Sequence, residues 1–429
     1  MIFRTVLLVF LGCELVSAEL EIINQWNLFD FDIPYNYPTN ANYSTSQSPT
    51  TGLEIGWERI FLSLPRFMPG APLSLAFIPR NRPGGYSELS PKLQPYPSWD
   101  WHRDAAAGEV GGDNCTGMLS VFRTRLDRCN RLWVLDSGVM DSLVNFRVAC
   151  PPKILIFDLT TDTLIRSITL PPEVLRPNTL LTNLVLDDQN EGLDGHAASC
   201  DNIFVYMSDT TNPGLVVYDA RRDSAWRLGN PAFFPEPDWG TFRVAGEYFT
   251  LMDGVIGLAL SAPGPERTLY FQAFASNRIS SIPTSVLKAG PNNGDDSDLP
   301  VTLVGHKSSQ AAPIAVDLRD GSLVFCPVSE TALAAWTPGS QDHRVLAHDP
   351  EQLQFVLDIR SAERDRGELW VVSTRLQKFL RRTISPQEVN LRIMRVAVTP
   401  TPVHPSHPAP VAPVVPSPAP APYGNFLHY

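Results

Sequence analysis

The chain has 429 residues, 43% hydrophobic and only 18% charged, enough apolar material for a large folded core. Its formal net charge of -11 excludes the broad basic face with which a nucleic-acid binder neutralises phosphates. An aromatic share of 10% suits a strand-rich interior.

The first residues read as a secretory signal. Arg4 precedes a short apolar run, and Val16, Ser17 and Ala18 supply the small residues of a cleavage site. The run is too short to span a bilayer and no other stretch approaches it, so a secreted, extracellular protein without a membrane span is expected, starting near Glu19. Residues 19–52 are polar and rich in Asn, Tyr, Ser and Pro, and read as an N-terminal extension in which only Ile23 to Phe31 suits an edge strand. Asn42, followed by Tyr43 and Ser44, is a glycan acceptor, as is Asn114 with Cys115 and Thr116.

From 53 to 398 the chain is a succession of short apolar runs bounded by turn residues. The clearest is Leu132-Trp133-Val134-Leu135, which stops at Asp136, Ser137 and Gly138 and predicts a buried strand. It recurs. Cys129 precedes Trp133 by four residues, and Cys200 precedes Phe204 by the same number. Similar runs around Phe77, Tyr270, Phe325 and Trp370 bring the anchors to six. A second motif repeats in the same order: Asp158, Asp162 and Arg166 match Asp219, Asp223 and Arg227 in spacing. Two motifs recurring together mark a duplicated supersecondary unit, and with no long helix they predict an all-β fold, a six-bladed β-propeller with four-stranded blades.

Once Cys13 leaves with the signal, five cysteines remain. Cys115, Cys129, Cys150 and Cys200 allow three connectivities. The shared repeat position of Cys129 and Cys200 favours that disulfide, which leaves Cys115 for Cys150. Cys326 lies inside an apolar strand and reads as a buried thiol. Arg123 and Arg125 alternate with apolar neighbours and read as the outward face of a strand. Asp187, Asp188 and Glu191 lack the alternating spacing of a calcium loop and read as a solvated turn. The eight histidines are scattered without metal-site spacing, and phosphate loops and nucleophile elbows are missing, so no metal or cofactor is expected. Leu391 to Val398 alternates and is expected to close the ring against the first blade. Residues 399–429, dense in proline from Pro400 to Pro422, read as a disordered, polyproline-like tether.

Residues 114–171 resemble the insect yellow/major royal jelly protein family. Further matches are Trp226 and Arg227, Phe233 to Pro237, Asp253 to Ser261, Thr268 to Phe271, Ala275 to Asn277, Glu351 to Phe355 and Leu369 to Leu380. The resemblance runs collinearly over roughly 55–398 and implies a secreted six-bladed propeller. It also implies a role in cuticle pigmentation, the melanin pathway or the extracellular matrix, exercised by binding a small aromatic amine or catechol-derived ligand in the central pore. On that basis Tyr270, Asn277, Thr331, Trp336 and Arg375 are the candidate ligand-binding residues. Thr331 matches the family's hydroxyl position, whereas the usual family cysteine is Ala335 here. The alternatives are a metal-independent dopachrome-converting enzyme of tautomerase or decarboxylase type, for which no acid–base pair stands out, and a structural cuticle or eggshell scaffold with matrix contacts through the tail.

Overall fold

A computed structural model describes residues 19–38, 48–80, 88–112, 114–190, 199–290, 299–340 and 343–397. The expected signal, Asn42 and the proline-rich tail lie outside these residues. The described residues form six four-stranded antiparallel sheets arranged in a ring, the predicted propeller. The innermost strands are Gly52–Ile55, Val121–Leu126, Leu181–Asp188, Val255–Leu260, Ile314–Val316 and Phe355–Ala362, for blades 1 to 6 in turn. Each touches the next, and the sixth touches the first. The upper face of the ring is here the one on which these strands begin.

The repeated apolar run is explained by its place in the ring. Arg131–Asp136 is the second strand of blade 2, and its alternate residues face opposite neighbours. Trp133 and Leu135 pack against Ile203, Val205 and Met207 of blade 3, whereas Leu132 and Val134 pack against Phe61 and Leu75 of blade 1. A sheet covered on both faces needs apolar residues at every position, so period-2 alternation disappears. Phe204, Tyr270, Phe325 and Trp370 occupy the second strands of blades 3 to 6. Phe77 does not. It lies on the third strand of blade 1, Leu75–Pro79, and the second strand is Arg59–Ser63, centred on Phe61.

The second repeat forms the hairpin between the two outer strands of blades 2 and 3. Asp158 and Asp219 accept backbone N–H bonds within the turn, from Thr160 at 2.7 Å and Arg221 at 3.0 Å. Asp162 and Asp223 both adopt positive φ, 54° and 53°, as a tight hairpin turn requires.

Closure differs from expectation. Leu391–Ala397 is the third strand of blade 6, and the fourth is Glu19–Trp26, so the N-terminal segment completes the last blade. The edge strand expected at Ile23 to Phe31 thus begins at Glu19 and ends at Trp26, where Trp26 is buried with Phe29 and Phe31 against blade 1. Cys115 pairs with Cys150 and Cys129 with Cys200, and Cys326 is a buried free thiol. Cys129 and Cys200 occupy equivalent turns of adjacent blades, so their disulfide ties blade 2 to blade 3. The double variant C129S/C200S is expected to lose about 2–5 kcal/mol of stability in a denaturant titration.

Candidate functional site

Innermost strands place one face toward the axis of the ring, and in this chain several of those positions carry charge. Arg123 and Arg125 of blade 2 are both only 4% exposed. They are therefore not the outward face expected from their alternation. Arg123 pairs with Asp358 of blade 6 at 2.7 Å and donates to the Thr51 carbonyl at 2.6 Å. Arg125 lies 3.6 Å from Asp358 and 3.9 Å from Glu54 of blade 1, and donates to the Asn183 amide oxygen of blade 3 at 3.2 Å. Arg360 approaches Glu54 at 3.1 Å. Three blades are thus joined by one buried ionic network, and the Asn183 hydrogen bond ties in a fourth.

The two carboxylates respond differently to this burial. Desolvation raises both. For Asp358 the effect is overcome by Arg123, Arg125, Arg360 and the N–H of Leu53, which together hold its carboxyl below the ordinary value. For Glu54 desolvation prevails over Arg360 and Arg125, and its carboxyl is raised. Burial, together with the neighbouring Arg360 and Arg123, pushes the Arg125 guanidinium down to about 9.

Below the network lies a cavity of about 120 Å³ whose wall includes Arg125, Arg360, Arg267, Leu258 and Ile314. Asp187, expected in a solvated turn, is wholly buried beside it. It accepts the Tyr206 hydroxyl at 2.7 Å and pairs with Arg267 at 3.4 Å and Lys288 at 3.5 Å.

The upper end of the axis is apolar. Phe355 and Ile256 from innermost strands pack with Phe242 and Phe249 of an inserted hairpin (Thr241–Val244 and Glu247–Thr250) and with Leu376 and Phe379 of the short helix Leu376–Arg381. Phe242 stacks on Phe249 with centroids 5.0 Å apart, and Phe249 lies 6.1 Å from Phe355. Just ahead of the blade 4 innermost strand, burial raises the Asp253 carboxyl to about 6. Lys307, also on this face, is buried with Nζ donating to the Arg278 carbonyl at 3.1 Å, and desolvation lowers it to about 7.

Of the residues singled out from the sequence, Asn277, Thr331 and Arg375 lie in upper-face connections of blades 4, 5 and 6. Asn277 contacts His306 Nδ1 through its side-chain oxygen at 3.1 Å. Thr331 is buried at the start of its strand, with its hydroxyl donating to the Glu330 carbonyl at 2.8 Å. The charge of Arg375 is taken up by Glu351 and Glu388. Tyr270 and Trp336 instead pack with Ile279 and Phe325 in the layer between blades 4 and 5, and Trp336 stacks on His343. Asn114 donates its amide to the Glu109 carbonyl at 2.5 Å. The sequence reading missed Glu54, Asp358 and Arg360, whose common signal is a charge inside an otherwise apolar innermost strand.

A six-bladed propeller with a buried charge network on its axis is the class of protein that this geometry defines. The sequence matches the major royal jelly protein family over residues 119–403. It is 29% identical to a dopaminechrome tautomerase of Drosophila melanogaster over 404 residues, covering 89% of this chain and 82% of that one. It is 32% identical to Protein yellow of Drosophila yakuba and 31% identical to Protein yellow of Drosophila melanogaster, each over 390 residues, 88% of this chain and 68% of the relative. The chain belongs to the yellow/major royal jelly protein family.

Asp358→Asn leaves Arg123 buried without its counter-charge and is expected to cost about 3–5 kcal/mol in chemical denaturation. Because the folded-state carboxyl is held below its unfolded value, its stabilising contribution is complete above pH of about 4 and is lost as pH falls further. The acid limb of a stability–pH profile should therefore be shallower for D358N than for the native chain.

Proposed function

We propose that this chain is a secreted yellow-family protein of pigmentation or extracellular matrix that holds a small catechol-derived aromatic molecule in the cavity on its axis. The observation that supports this reading is the axial cavity, which charged side chains from separate blades line below an aromatic cluster. Guanidinium groups suit quinone or catecholate oxygens and repel an ammonium, so the catechol-derived class fits this lining better than a free amine does. Asn277 and Thr331 are the residues from the sequence reading that remain candidate contacts at the upper end. The two disulfides suit an oxidising, extracellular setting. Residues 1–18 serve as the signal, Asn42 and Asn114 as glycan acceptors, and the tail from 399 as a matrix tether.

Calorimetric titration with dopaminechrome, dopamine and serotonin tests the ligand reading. Saturable heat with dopaminechrome, exceeding that with the two amines, is expected. Heat of dilution alone for all three would remove it.

The 29% identity to a dopaminechrome tautomerase favours a second reading, conversion of an aminochrome. Such a tautomerisation takes a proton from ring carbon and returns one to quinone oxygen, with no net change in atoms or electrons. A carboxylate raised to about 6, as Asp253 is, remains largely ionised at neutral pH and is basic enough to accept that proton. On this reading Asp253→Asn lowers the rate of dopaminechrome bleaching at least about 100-fold while the melting temperature stays near that of the native chain. Bleaching that persists equally in boiled protein would discard the enzymatic reading.

A further inference from the structure

The cavity on the axis is walled by blades 2 to 6, mostly by the trailing halves of their innermost strands. Leu126, Leu186 and Leu260 come from blades 2, 3 and 4, and Leu318 from the turn that follows the short innermost strand of blade 5. Ser361 and Glu363 carry the wall on to blade 6. Two residues of the wall are exposed, Leu318 at 38% and Glu363, and both belong to lower-face connections. The cavity therefore opens downward.

The way in from above is closed twice. The inserted hairpin lies across the upper end and is fastened at several points. Gln310 Nε2 donates to the Trp239 and Thr241 carbonyls at 2.7 and 2.8 Å, Ser329 Oγ to the Arg243 carbonyl at 3.0 Å, and Arg381 to the Tyr248 carbonyl at 2.8 Å. Beneath it lie Glu54 and the Arg123–Asp358 pair, each residue at most 4% exposed. A molecule passing that way would have to part buried charges, at a large desolvation cost.

We infer that the lower mouth is the entrance to the axial cavity, and that Leu126, Leu186, Leu260 and Leu318 form the apolar surface that selects what enters. This deepens, and rests on, the reading of that cavity as the aromatic-ligand site. Four leucines from four successive blades offer a flat ring continuous contact. A strongly hydrated solute would give up water against them with no donor or acceptor in return. The rim is preformed. The Leu318 N–H donates to Ser361 Oγ at 3.1 Å, and that hydroxyl donates to the Gly367 carbonyl at 3.1 Å. Arg319 pairs with Asp317 at 2.8 Å and with Glu368 at 3.3 Å. These contacts tie the blade 5 turn to blade 6, so the mouth is set before any ligand arrives.

The test uses the full-length secreted chain with one cysteine introduced, by Leu318→Cys at the lower mouth or by Thr250→Cys on the inserted hairpin. Both positions are exposed, so replacement leaves the fold intact. Cys326 is buried, so a bulky maleimide reagent reaches the introduced thiol instead. Each variant is compared with itself before and after conjugation, by stopped-flow mixing with dopaminechrome. Conjugation at 318 is expected to lower the association rate at least about tenfold, and conjugation at 250 to change it less than about twofold. Calorimetry on the native chain separates the entrance from the ligand reading. Saturable heat there, with a rate unchanged by conjugation at 318, overturns the lower entrance alone. A loss confined to conjugation at 250 does the same and returns entry to the side of Asn277 and Thr331. Heat of dilution alone in the native chain removes the aromatic-ligand reading and the entrance with it.

Discussion

Pairing between Glu19–Trp26 and Leu391–Ala397 joins the two ends of the propeller, and the remaining architecture depends on it. Without the outer strand, blade 6 would present the backbone of Leu391–Ala397 as an open edge. The exposed ion pair of Glu21 with Arg395 at 2.6 Å contributes little by itself. The ladder and the burial of Trp26 beside Phe29, Phe31 and Trp370 do most of the work. Trp26 also donates its indole N–H to the Pro91 carbonyl at 2.8 Å, which fastens the closing strand to blade 1. A ring held this way fixes the distance between opposing innermost strands, and so lets Arg123 and Asp358, far apart in sequence, meet across the axis.

The axial network shows how a propeller uses the one face that its blades cannot bury against each other. Inter-blade layers take the apolar side chains, as Trp133 and Trp370 do, and their indole N–H groups each find a carboxylate in the preceding turn, Asp127 and Asp365. What remains faces inward. The result is polarity arranged along the axis, an aromatic cluster above and the network of arginines with Glu54 and Asp358 below it.

Much of the fold was legible in the sequence because blade packing writes itself into consecutive apolar residues. The duplicated Asp158/Asp162 and Asp219/Asp223 turns marked a repeated supersecondary unit, and the equal offsets of Cys129 and Cys200 indicated which disulfide a neighbouring pair of blades would form. The site was less legible. Alternation at Arg123 and Arg125 identifies a polar face but not whether that face meets solvent or an axis, and the same ambiguity hid Asp187 in an apparent loop. Phe61 was overlooked because Phe77, one strand later, has an equally apolar setting. The short helix Leu376–Arg381 and the hairpin over the upper end carry no strong cap or turn pattern. Their positions are set by contacts with Phe355 and Phe67, which lie elsewhere in the chain.

The closing strand also orders events in time. Of the described strands Glu19–Trp26 is made first, whereas its partner Leu391–Ala397 is made last. Throughout synthesis the leading strand has no ladder to join, and five blades can assemble before it docks. Closing the ring is therefore a late step, a pairing of high sequence separation that waits for the last blade.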